Sequence, residues 1–354
     1  MKQEIRCCHL RLYNNLVKKI VASCAFFVGS FYLTTADYAQ ELSVLINGRD
    51  IGLPSKDYVH YLPHGMTELP AVALKGSSGI ITLDKEKRVA IIKQGESQIC
   101  RIVFETLPEL DLYLCIGQSN MAGRGPIEAT KGDLEPLTNV YLFTPSGNWE
   151  PAKNPLNRYS TVRKELSMQQ ISPAYAFAKT VVARNGNRPI GLVVNAKGGT
   201  AIESWLKGAE DGFYEAALKR ASDAKPWGTY RAILWHQGEG NSGRVAAYPQ
   251  QLQKMVNDLR TDLQAPNLFF VAGQLGQWRT GHLRFNEMIQ TIGTFLPHSS
   301  WVSTEGLQPL RGDITDPHFD REGQLLLGER YANCILKNVY LTDVDKTTGK
   351  SEQR

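Results

Sequence analysis

Leu112-Tyr113-Leu114-Cys115-Ile116, followed at once by Gly117-Gln118-Ser119-Asn120-Met121-Ala122-Gly123, decides how this chain folds. Five apolar residues in a row read as a strand, and the glycine-bounded polar stretch after them reads as a tight turn into a helix. A serine in such a turn presents its hydroxyl, and its own N–H is free to face a developing negative charge. Taken alone, the same residues make a plain helix cap. The rest of the chain must supply the context.

Outward from that turn, the strand-like segments Ile190 to Val194, Ala232 to Trp235, Leu268 to Val271 and Trp301 to Ser303 alternate with helical patterns. Those patterns cover Ser172 to Ala183, with Ser172 as N-cap and Pro173 in the first turn, then Tyr214 to Ala221, Val245 to Leu263, Leu283 to Phe295 and Gly323 to Leu336. Strands separated by helices predict an α/β fold with a parallel sheet and right-handed crossovers. Ligands of such a sheet bind beyond the carboxyl ends of its strands. Earlier in the chain the rhythm differs. Ser43 to Ile46, Gly79 to Leu83, Arg88 to Ile92 and Ile102 to Phe104 are short strand patterns separated by Gly, Asp, Lys and Ser. They predict a small β-rich module over residues 40–107, ahead of a catalytic domain over 109–341 and a polar tail over 342–354.

Three further polar segments carry chemistry. Asn195-Ala196-Lys197-Gly198-Gly199-Thr200 follows the second strand; paired glycines let a backbone N–H approach a reacting carbonyl, or simply form a turn. Trp235-His236-Gln237-Gly238-Glu239 ends the third strand, and a carboxamide such as Gln237 donates two hydrogen bonds without titrating. That suits an oxyanion donor or a ligand for a sugar hydroxyl. His236, Glu239 and His318 also raise a zinc alternative, but their spacing matches no metal motif. Finally, Asp313-Ile314-Thr315-Asp316-Pro317-His318 precedes the last helix. An acid just ahead of a histidine can hold one ring nitrogen while the other takes a serine proton.

These four blocks, in this order over about 225 residues, resemble the SGNH hydrolases, in the branch of the sialate O-acetylesterases and the acetyl xylan esterases of carbohydrate esterase family six. The resemblance implies a flavodoxin-like three-layer sandwich, no metal or other cofactor, and hydrolysis of acetyl esters on glycans, with acetylated carbohydrate as the partner. It implies Ser119 as nucleophile, His318 as base and then acid, and Asp316 as the residue orienting His318. The N–H groups of Ser119 and Gly199 and the amide of Gln237 would hold the oxyanion. Gln118, Asn120, Glu203 and Glu239 are expected to contact the sugar or support the residues that do. Two departures stand out. Asp316 precedes His318 by two positions, whereas the wider superfamily commonly has three, and Asp313 precedes it by five. The block-three amide is Gln237 where the wider superfamily has Asn. Residues 1 to about 105 lie outside the resemblance; there His60 and His64 give no metal signature. Trp149, Trp205, Trp278 and Arg279 are candidates for a sugar-facing rim.

Composition bounds the partners. The 354 residues are 42% hydrophobic, enough for one large core, and carry a formal charge of +5. Lys2, Arg6, Arg11, Lys18 and Lys19, against Glu4 alone, account for four of those charges, so the remainder is nearly neutral and a nucleic-acid partner loses its support. The uncharged run Ile20 to Ala36 follows Lys18-Lys19 and ends in small residues, the layout of a signal peptide over 1–36 with cleavage there or after Ala39. Export to a periplasmic or secreted location follows, with no stable membrane insertion once the leader is removed; a retained anchor is the alternative. Only Cys100, Cys115 and Cys334 follow the leader, too few and too scattered for a disulfide framework.

Overall fold

The computed structural model describes residues 42–76 and 78–340. The predicted leader and the tail over 342–354 lie outside the described residues. In chain order the strands are β1 (Ser43–Ile46), β2 (Arg49–Asp50), β3 (Asp57–Leu62), β4 (Val72–Lys75), β5 (Ile80–Asp84), β6 (Val89–Gln94), β7 (Ser97–Thr106), β8 (Leu110–Gly117), β9 (Val140–Phe143), β10 (Trp149–Pro151), β11 (Ile190–Val194), β12 (Gly228–His236), β13 (Phe269–Gly273) and β14 (Ser299–Val302). The α-helices are α1 (Ser119–Ala122), α2 (Pro173–Arg184), α3 (Phe213–Ala224), α4 (Tyr248–Asp262), α5 (Leu283–Gln290), α6 (Ile292–Phe295) and α7 (Arg321–Ile335).

All eight residues of β8 are buried, because helices cover both faces of its sheet. Side-chain alternation sends Leu112, Leu114 and Ile116 into one apolar layer with Trp205, Trp235, Tyr248 and Phe285 of the α3–α5 side. Tyr113 and Cys115 enter the other layer, with Phe177 of α2 and Tyr331 and Ile335 of α7. The sheet order is β10-β9-β11-β8-β12-β13-β14, parallel throughout except for the edge strand β10. Its five strands β11-β8-β12-β13-β14 reproduce the 2-1-3-4-5 order of flavodoxin-like folds, with the β9–β10 hairpin added at one edge. The expected three-layer α/β architecture is therefore present. The chain turns back on both sides of β8, so the crevice beyond its carboxyl end is the place for a ligand.

Local signals shift some boundaries. The predicted helix from Leu283 to Phe295 is broken at Thr291, whose hydroxyl bonds to Met288 O at 2.8 Å, a local bond that competes with helical continuation. The helix predicted from Val245 begins as a 3₁₀ turn and becomes regular at Tyr248, with Pro249 in its first turn. Ser172 occupies the N-cap of α2, but its hydroxyl makes no capping bond.

Before β8, two small sheets, β2-β1-β4 and β3-β7-β6-β5, close over Val44, Ile46, Ala90, Ile92, Ile102 and Phe104. Strands β2, β3 and β4 were not expected from the sequence, nor was the β9–β10 hairpin. That hairpin is where the two regions meet. Tyr61 packs edge-on against Tyr141 at 5.5 Å, His60 Nδ1 lies 2.5 Å from Asn148 Nδ2, and Arg49 donates to Ser146 O at 3.2 Å. The β-rich region thus braces the sheet edge, and the described residues form one unit.

Candidate active site

Ser119 opens α1 directly beyond β8. Three strand ends are laced together beneath it by backbone bonds: Gln118 N–H donates to His236 O at 2.8 Å, and Lys197 N–H donates to Gly117 O at 2.9 Å. Gly117 has φ of 131°, and a Cβ there would fall 2.3 Å from His236 O. Only glycine permits this approach. Ser119 is 6% exposed, so little beyond its pocket-facing atoms is open to solvent.

His318 reaches the serine from the loop before α7. Its Nε2 lies 2.9 Å from Ser119 Oγ, and its Nδ1 lies 2.6 Å from Asp316 Oδ1. The same Asp316 oxygen accepts the His318 backbone N–H at 2.9 Å. That second bond explains the two-residue spacing: one carboxylate closes a tight turn around Pro317 and holds the imidazole at once. Asp313 is occupied elsewhere, accepting from the N–H and hydroxyl of Thr315 at 2.9 and 2.7 Å. Trp278 Nε1 donates to Asp316 O at 3.0 Å, fixing the turn from outside. Burial, opposed by Asp316 and reinforced by Arg124, holds the His318 pKa below its ordinary value of 6.5, so the ring is a neutral acceptor at neutral pH.

Gly198 and Gly199 line the opposite wall. A Cβ on Gly198 would lie 3.4 Å from Ser119 Cβ and 2.8 Å from Arg124 Nη2, so a side chain there would fill the space before the serine. Among the described residues, no acceptor takes the N–H of Ser119 or of Gly199. Both are available to a bound oxyanion. The pocket so formed has a volume of about 310 Å³, and Arg124, Lys164, Met168 and Glu239 complete its walls.

Gln237 departs from expectation. It is fully buried, and its Nε2 donates to Thr200 O and to Asn241 Oδ1, both at 2.9 Å, while Oε1 accepts from the Tyr248 hydroxyl at 2.7 Å. Both amide hydrogens are spent, so none remains for an oxyanion. Its work is to tie the glycine loop to the end of β12. Glu203 sits on the outer side of that tie, accepting from Asn241 Nδ2 at 2.9 Å. Gln118 donates through Nε2 to Glu239 Oε2, and Asn120 donates to Glu239 Oε1 at 2.8 Å. Burial pushes the Glu239 carboxyl up to about 7, against the hydrogen bonds that favour its charge.

The aromatic rim is also corrected. Trp149 and Trp205 are 2% and 0% exposed and belong to the core, because the strand and loop that carry them turn inward. His236 is buried edge-on between Phe319 and Tyr331, with its pKa lowered to about 3 by desolvation, and is packing rather than a ligand. Arg124, Lys164 and Met168 were missed from the sequence. Arg124 immediately follows the first block, and that adjacency was the available signal.

The family described as carbohydrate esterase, sialic acid-specific acetylesterase matches residues 109–337. A probable carbohydrate esterase of Arabidopsis thaliana is 29% identical over 250 residues, covering 66% of this chain and 92% of that protein. An Arabidopsis thaliana crystal structure is similar with a TM-score of 0.57 and 27% identity, covering 66% of this chain and 100% of the other. A carbohydrate acetylesterase of Xanthomonas citri gives a TM-score of 0.49 at 16% identity over 86% of this chain and 69% of its own. The matched span contains the whole seven-stranded sheet and all four sequence blocks, and the chain therefore belongs to the SGNH-type carbohydrate esterases of the sialic acid-specific acetylesterase family.

Proposed function

We propose that the chain removes O-acetyl groups from glycans through an acetyl-enzyme formed on Ser119. The observation that carries this reading is the continuous contact from Ser119 Oγ to His318 Nε2 at 2.9 Å and from His318 Nδ1 to Asp316 Oδ1 at 2.6 Å. As Ser119 Oγ bonds to the acetyl carbon, His318 Nε2 takes its proton, and the N–H groups of Ser119 and Gly199 receive the negative oxygen. Collapse expels the sugar oxygen, which His318 protonates. Water then attacks the acetyl-enzyme with His318 again as base, releasing acetate and restoring the serine. The Ser119–His318 distance also argues against a binding protein that keeps the fold without the chemistry.

The sugar is read from the pocket walls. Arg124 and Lys164 have no carboxylate partner among the described residues; Arg124 spends Nη1 on the carbonyls of Gly123 and Met168, and the Lys164 side chain stands exposed. Two cations in the pocket wall that make no ion pair among those residues, Arg124 feeling only the more distant charge of Asp316, favour an acetylated acidic sugar of the sialate type over neutral xylan. The leader pattern supports export.

Acetate release by the purified protein from O-acetylated sialic acid and from acetylated xylan tests the assignment, with titration by a fluorophosphonate. The expected result is label on Ser119, preference for the acidic sugar, and loss of both label and turnover, by about 10⁴-fold or more, in Ser119→Ala. An unlabelled serine with no turnover would sink the hydrolase reading; equal rates on both glycans would sink the preference.

A further inference from the structure

We propose that Glu239 and Asn120 form a clasp that sets the separation of Ser119 and His318, with Glu239 a positioning residue for the reaction. The inference rests on the serine-hydrolase reading above. Glu239 stands in the pocket wall beyond β12 and holds both sequence neighbours of the serine: Gln118 Nε2 on one oxygen and Asn120 Nδ2, at 2.8 Å, on the other. Asn120, fully buried, in turn holds both sequence neighbours of the histidine. Its Nδ2 donates to Pro317 O at 3.2 Å, and its Oδ1 accepts the Phe319 N–H at 3.2 Å. Gln324 Nε2 of α7 donates to the same Oδ1 at 3.0 Å. One carboxylate and one amide therefore join the end of β12, the serine turn, the histidine loop and α7.

The charge state of Glu239 matters to this geometry. As a carboxylate it offers an acceptor to each amide. Protonated, one oxygen turns a hydrogen toward an N–H donor and a bond is lost. Arg279 favours the charged form; Tyr248 and Tyr331 lie within electrostatic reach on the packed elements behind, and His318 and Arg124 share the pocket. Burial dominates and raises the carboxyl from 4.5 to about 7. The folded chain thus binds this proton more tightly than the unfolded chain does. Stability from this group is full below pH 4.5 and lost as pH rises through about 7. A carboxylate kept against that cost points to a use in the site.

Glu239→Gln tests the clasp in the full-length protein, because its amide sets N–H against N–H at every pH. The measurements are kcat and KM on 4-nitrophenyl acetate, the rate of fluorophosphonate labelling from pH 5 to 9, and Tm at pH 8. The clasp requires kcat and labelling to fall about tenfold or more with KM little changed. It also requires the rise of wild-type activity through pH 7 to vanish, while Tm at pH 8 holds or increases. Asn120→Ala, which cuts the link to the histidine loop, should slow labelling at least as much and carries the test should Glu239→Gln not fold. Wild-type rates and pH dependence in the variants, or activity lost only in step with Tm, overturn the proposal. A wild-type chain that takes no label overturns the hydrolase reading instead; a labelled wild type with equally fast variants overturns the clasp alone.

Discussion

The turn that carries Ser119 is tied to the neighbouring strand end and glycine loop by backbone bonds, whereas the loop that carries His318 adds a set of side-chain restraints to its own backbone bonds with residues 308–310. Beneath the serine, Gln118 N–H and Gly117 O bond to the ends of the neighbouring strand and loop, and Gly117 makes the approach possible. Around the histidine, the Asp316 carboxylate and the Asn120 amide each supply two restraints and the Trp278 indole one. Asp316 and His318 keep about a quarter of their side-chain surface, 27% and 23%, whereas Ser119 is a buried residue. The backbone bonds beneath the nucleophile tolerate no change of main-chain geometry, while the side-chain restraints on the base can be altered one contact at a time. The two halves should therefore fail in different ways.

The largest effect on the side-chain half is expected from Asp316→Asn. It keeps the shape but removes the charge that stabilises the imidazolium, and kcat should drop by about 10³-fold with the fold intact. Steady-state kinetics beside circular dichroism would show it; a loss under tenfold would mean another group orients His318. On the backbone half, Gly117→Ala should unfold rather than merely slow the enzyme. A Cβ 2.3 Å from His236 O, at φ of 131°, must displace the strand end, at a cost of roughly 2–4 kcal/mol. A urea midpoint like the wild type would contradict the backbone account.

A smaller effect concerns pH. The His318 pKa is lowered, and the neutral ring is the base, so activity limited by this group should persist below pH 6.5 and fall only as acid protonates the ring. The limb is best seen in Glu239→Gln, where the ionisation near 7 is absent; a remaining limb above 6.5 would show that burial does not dominate at His318. Smallest of all, Asp313→Asn should change kcat by less than about twofold, since its side chain bonds to Thr315 and to the Asp316 backbone and not to the His318 ring. A loss comparable to that of Asp316→Asn would exchange the two roles.

The sequence carried most of the catalytic fold because its signals are local. Five-residue apolar runs mark strands that are buried on both faces, and β8 and β11 fall where those runs lie. The hairpin β9–β10 escaped because Val140–Phe143 lacks a helical partner segment of its own and earns its place by pairing at the edge. Among the early strands β3 escaped for a similar reason: it pairs with β7, some forty residues on, through contacts no local pattern announces.

By itself the chain determined that a serine would lie at a strand end, that glycines would flank its approach, and that an Asp-X-His would precede the last helix. These follow from backbone sterics and from the period of apolar residues, which act over a few positions. Only the tertiary structure decided which aspartate meets the histidine, that both amide hydrogens of Gln237 are spent within the protein, and that Trp149 and Trp205 are core. Those outcomes depend on which side chain wins a donor brought from elsewhere in the chain, and that competition exists only once the strands have assembled.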